Sequence, residues 1–242
     1  MNKVISNETT GFRWKSLYKV GSAAAFIAAA LLLVEIVVFT IWPQPGDAAG
    51  YFLLFQDSKL IGLLDFYLLE FFTYILFVPV FLAIYAAIRR VNESYMALAL
   101  VLAVAGVAVF LATNNPFSML SLSNQYAAAA TEVQKELYLA AGQAILVNTN
   151  QRAVEGFNMG FFLLSTAGLI ISIVMLRSKI FGKTIAYIGI LTFAGSLIDY
   201  VRVIFWPSLT LFLLIIAVYS GFMLLVWLVM IARRLLQLGQ RE

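Results

Sequence analysis

"LIGLLDFYLLEFFTYILFVPVFLAIYAAI", residues 60–88, is one apolar run interrupted only by Asp65 and Glu70. As a helix rising about 1.5 Å per residue it is long enough to cross roughly 30 Å of hydrocarbon. Five further runs reach a comparable length: Val20 to Trp42, Tyr95 to Thr113, Gly156 to Leu176, Thr184 to Trp206 and Leu209 to Ala232. Continuous runs exclude a closed barrel, whose strands alternate in polarity, so the spans are helices. Composition agrees. Of 242 residues 63% are hydrophobic and 12% charged, with a mean hydropathy of +0.95, far above soluble domains. The prediction is an all-α, polytopic bundle of six transmembrane helices forming a single domain over residues 1–242.

Charge sets the expected orientation. Lys3, Arg13, Lys15, Lys19, Arg89, Arg90, Arg177, Lys179, Lys183, Arg233, Arg234 and Arg241 fall on the side of the termini, against Lys59, Lys135 and Arg152 on the other. This bias predicts a multi-pass protein of the cell membrane with both termini cytoplasmic. Contact with anionic membrane lipid accounts for the basic balance, and no nucleic-acid partner is needed. The opening "MNKVISNETTGFRWKSLYKV" lacks the short apolar core and cleavage site of a signal peptide, so the first run stays as a helix.

The chain has no Cys and no His. That removes disulfides, thiolate nucleophiles, histidine metal sites and every Ser-His or Cys-His catalytic arrangement. With no phosphate-binding loop and no metal-ligand spacing either, no cofactor and no metal is expected. Carboxylates, Arg, Lys, hydroxyls and amides must carry any chemistry.

The connections "RRVNES" and "RSKIFGK" are short, and Pro207 and Ser208 alone join the last two spans, which must be antiparallel neighbours. The first outer loop, Pro43 to Lys59, starts with the turn-forming "PQPGDAAG". The stretch from Asn114 to Val154 is too long for a structureless loop and predicts two extracytoplasmic helices between the third and fourth spans. Pro116 suits a first helical turn. "TEVQ", Thr131 to Gln134, matches a capping box ahead of an apolar stripe of Val133, Leu137, Ala140, Ala141, Ala144 and Ile145. That helix either caps the bundle or lies at the outer interface. Pro79 removes a backbone hydrogen bond to Ile75 and predicts a kink. "GFNMG" places Gly156 and Gly160 as GxxxG, read first as tight helix packing and second as an oligomer interface.

Five ionisable residues fall within the spans: Glu35, Asp65, Glu70, Asp199 and Arg202. Each charge at mid-membrane costs about 2.5 to 3.5 kcal/mol on insertion scales, several times what one Leu or Phe returns. Glu35 precedes Trp42 by seven residues and Asp199 precedes Trp206 by seven. Both carboxylates therefore lie about 10 Å below the outer interface. Counting inward from Leu60 puts Asp65 about 7 Å and Glu70 about 15 Å down. All five groups share the outer half. Asp199 and Arg202, three apart, share a helix face, whereas Asp65 and Glu70 are turned about 140° apart on a regular helix. Fully ionised the set is too negative for a dry interior, so some acids are expected to be protonated, wet or cation-bound. Asn115 and Asn158, at the outer ends of the third and fourth spans, complete the predicted ligand-binding set. The structural alternative is that these groups only fasten helices together.

The stretches "VPVFLAIYAAIRR" (Val78 to Arg90) and "NNPFSMLSLSNQYAAAATEVQKELYLAAGQAIL" (Asn114 to Leu146) resemble a family of prokaryotic six-helix membrane proteins, domain of unknown function 4386. The likeness extends over most of the chain and implies the same layout, with an outer helical segment between the third and fourth helices. It transfers no catalytic or binding residue. Three functions compete. One is binding or transport of a cation, proton or small amphipathic ligand at an outward-facing carboxylate and Arg site. Another is an accessory subunit, using GxxxG and the outer helices to hold a partner. The third is an enzyme acting on a lipid or isoprenoid by carboxylate acid/base chemistry.

Overall fold

The computed structural model describes residues 2–149, 158–205 and 210–240, without the side chains of 2–13, 148, 202–204 and 210–218. In chain order its helices are α1 (Asn2–Ile41), α2 (Ala48–Asp57), α3 (Lys59–Leu63), α4 (Leu69–Ile88), α5 (Glu93–Thr113), α6 (Pro116–Ala128), α7 (Glu132–Thr149), α8 (Met159–Met175), α9 (Lys183–Phe205) and α10 (Thr210–Gln240), with a π-helical turn at Leu64–Leu68 between α3 and α4. No strand occurs among the described residues. Among the described residues five stretches are long and apolar enough to cross a membrane: Trp14–Ile41, Lys59–Ile88, Glu93–Ala128, Lys183–Val201 and Tyr219–Gln240. The fourth of the six expected spans is a shorter apolar helix, Met159–Met175, about 25 Å long at the standard rise.

The long helices α1, α4, α5, α8, α9 and α10 each pack against the next, and α10 returns to α1, closing a ring. Small residues let the backbones approach. A Cβ on Gly106 of α5 or Gly160 of α8 would lie 2.7 Å from the other's carbonyl oxygen. The interior of the ring is filled by Trp227, fully buried, with the Phe193 ring at 5.1 Å and the Phe81 ring at 6.4 Å. At the end that carries the termini, Arg89 lies over the Trp14 ring and the Arg234 guanidinium donates to the Ile180 carbonyl.

The far end carries a cap of α2, α3, α6 and α7 with its own core: Tyr51, Phe52, Phe55, Phe66, Met119 and Leu146. The expected loop from Pro43 to Lys59 is mostly helix, because Asp47 caps α2 by accepting from the Gly50 amide at 2.8 Å. The two helices expected after Asn114 are α6 and α7. Pro116 stands in the first turn of α6. Thr131 Oγ1 accepts from the Gln134 amide at 3.3 Å, while Gln134 Oε1 accepts from Ala130 rather than Thr131, closing the capping box one residue early. The buried face of α7 differs from the expected stripe. Val133 and Leu137 are 75% and 66% exposed, because α7 meets α2 through Gly142, which seats against Ala48 and Phe52.

The course of the second span also differs. Helix α4 continues through Pro79, and the backbone leaves helical geometry earlier, at Phe66 (φ −110°, ψ 76°) and Tyr67 (φ 61°, ψ 5°). No local signal in "LLDFYLLE" marks that break. Tertiary contacts do: Phe66 is buried in the cap core, edge-on to Tyr51 at 5.1 Å, while Tyr67 faces Phe110 of α5 at 6.0 Å.

Candidate functional site

Tyr67 is the one non-glycine residue with positive φ among the described residues. A left-handed tyrosine costs about 1–3 kcal/mol and persists only where surroundings over-determine it. Here the Tyr67 hydroxyl donates to the Thr149 carbonyl at 2.6 Å, tying the break to the end of α7. Asn114, fully buried at the end of α5, donates to the same carbonyl at 3.0 Å. Its Oδ1 accepts from Thr113 Oγ1 at 2.7 Å and from Asn158 Nδ2 at 3.3 Å. Asn158 Oδ1 meanwhile caps α8 by accepting from the Phe161 amide at 2.9 Å. A belt of amides and hydroxyls thus joins α5, α7, α8 and the broken helix.

The acids lie beside this belt. Asp65 is fully buried in the π-helical turn, and its carbonyl accepts from Gln44 Nε2 at 3.3 Å. Glu70 stands in the first turn of α4, where the positive end of the helix favours a carboxylate. It lies within electrostatic reach of Glu35 on α1 and of Asp65. Glu35 and Glu70 are half-buried residues whose Oε2 atoms are buried with no hydrogen-bond partner among the described residues. The break matters for this grouping. On an unbroken helix Asp65 and Glu70 would point apart, and the irregular turn removes that restriction. Tyr74, stacked on Phe110 with ring centroids 3.5 Å apart, is within electrostatic reach of Tyr200, Glu70, Tyr67 and Glu35.

Asp199 lies on α9. It is half-buried and lines a cavity of about 260 Å³ between α8, α9 and α10, with Phe161, Ser196, Tyr200, Ser220 and Leu224. Its charge reaches Tyr200, which is in turn within electrostatic reach of Tyr74. Arg202 is on α9, but its side chain lies outside the described residues, and so does any Asp199–Arg202 pair. Asn115 is exposed and caps α6, accepting from the Phe117 amide at 3.0 Å. Gly156 lies outside the described residues, while Gly160 packs on Gly106 within the chain. Among the described residues no three acids group closely enough to hold a metal ion. In the sequence Asn114 and Tyr74 stand only as polar or aromatic groups near the level of the acids, ranked below Asn115 and Asn158, and Thr149 is not singled out. The only signal for the first was the doubled asparagine ahead of Pro116.

A chain whose described residues form helices and no strand, with five stretches among them able to span a bilayer, is an integral, multi-pass membrane protein. Residues 17–232 match the family model described as Domain of unknown function (DUF4386), and the chain belongs to that family. No curated protein and no solved structure matches it.

Proposed function

We propose that the protein binds or transports a cation, a proton or a small amphipathic ligand, taken up at the far end of the bundle by Glu35 and Glu70, with Asp65 adding its charge from nearby. The supporting observation is a helix broken at Phe66 and Tyr67 beside two carboxylates whose buried Oε2 atoms have no hydrogen-bond partner among the described residues. Broken helices inside a bundle expose backbone and acids to a ligand in many membrane proteins. Asp199 and Arg202 form the second part of the site, reached through Tyr74 and Tyr200, with Asn158 at its mouth and Asn115 above it. All six helices span the cell membrane, the termini are cytoplasmic, and the cap of α2, α3, α6 and α7 stands on the outer side. Assembly through Gly156 and Gly160 is the less favoured reading, since Gly160 already serves contact with α5.

The test is titration of the purified protein with Na⁺, with tetraphenylphosphonium and with protons, followed by thermal stabilisation. At least one probe is expected to stabilise the wild type, and Glu70→Gln to weaken that response about tenfold, or 1.4 kcal/mol. Equal responses in both proteins contradict the proposal.

A further inference from the structure

At the termini end a second cavity, of about 320 Å³, opens between the start of α5 and the end of α8, lined by Asn92, Tyr95, Ile170, Ile173, Val174 and Arg177. It faces outward from the ring, since Tyr95 is 57% and Ile173 49% exposed. Its chemistry is graded along one helix face. Ile170, Ile173, Val174 and Arg177 follow helical spacing, and the Arg177 amide donates to the Val174 carbonyl at 3.1 Å, carrying the turn to the arginine. Apolar surface therefore lies toward the middle of the bundle, and a guanidinium stands where the helix ends. Among the described residues Arg177 forms no salt bridge. Opposite it, the Asn92 carboxamide oxygen caps α5 by accepting from the Tyr95 amide at 3.2 Å, leaving its NH₂ as a donor. Glu93 is exposed and outside the lining. Lys15, Lys19, Arg89, Arg90, Lys179 and Lys183 lie at the same end, so the surroundings attract anions.

We propose that this groove binds an anionic phospholipid of the leaflet at the termini end, with its phosphate on Arg177 and an acyl chain along Ile170, Ile173 and Val174. A guanidinium presents paired donors to phosphate oxygens, and basic pockets between membrane helices take anionic headgroups for this reason. The groove is remote from Glu35 and Glu70, at the opposite end of the bundle, so this site stands whether or not those acids bind a ligand.

The experiment reconstitutes the full chain in nanodiscs of phosphatidylcholine with a minor fraction of phosphatidylglycerol. Retained lipid is then counted by native mass spectrometry. The wild type is expected to retain phosphatidylglycerol in excess of its share. Arg177→Gln, a change at an exposed position, should cut that excess about fivefold, the size of one arginine's contribution at an anionic surface. Arg90→Gln removes an exposed charge at the same end outside the groove and should leave the excess intact. An unchanged excess in Arg177→Gln overturns the proposal. So does an equal loss in Arg90→Gln, which would mean diffuse attraction, or displacement of the lipid by inorganic phosphate, which would mean a headgroup site without an acyl groove.

Discussion

Tyr67 concentrates the local physics of the far end. Its backbone sits in the left-handed region, and its hydroxyl holds the last carbonyl of α7 at 2.6 Å. Tyr67→Phe keeps the ring against Phe110 and removes only that hydrogen bond. The expected cost is about 1 kcal/mol, seen as a melting temperature about 2–4 °C lower for a chain of this size. An unchanged melting temperature would mean that the bond contributes nothing to holding α7 on the break. Asn114 answers to the same carbonyl. Asn114 and Asn115 are adjacent and chemically identical, yet one is fully buried and the other exposed. Only the turn between α5 and α6 decides which is which, and that turn is set by packing. The pattern of residues alone treats them alike.

At the scale of elements, close packing of α5 on α8 depends on two glycines that face one another. Gly160→Ala places a methyl group 2.7 Å from the Gly106 carbonyl oxygen and is expected to cost about 1–3 kcal/mol, read as a lower melting temperature. Gly221→Ala on α10 meets no atom within 4 Å and should be neutral or slightly stabilising through helix propensity. Equal effects of the two substitutions would contradict the packing described. The helices themselves were readable because long apolar runs and short basic connections leave few alternatives, and Pro116 and Thr131 mark the starts of α6 and α7 through local hydrogen bonding. The break at Phe66 was not readable. Its cause is non-local: one aromatic ring is buried in the cap core and its neighbour is bound to a residue 82 positions away. Pro79 was the visible local signal, and it lies inside α4, away from the break.

Across the whole molecule, the closed ring brings α1 beside α4, and that pairing places Glu35 within electrostatic reach of Glu70. Depth counted from Trp42 and from Leu60 is all that the sequence offers for placing Glu35 near the acids of the second span. That Asp199 lines a cavity between α8, α9 and α10 was not legible, because depth says nothing about position around a ring. Tyr74 is within electrostatic reach of Glu35, Glu70 and Tyr200, and the proposed function depends most on Glu35 and Glu70 acting as one site. A double-mutant cycle on binding of the probe that stabilises the wild type tests this directly, using Glu35→Gln, Glu70→Gln and both together. The prediction is non-additivity beyond about 0.5 kcal/mol, with the double variant binding no worse than the weaker single variant. Additive effects, or no effect of either substitution, would contradict it.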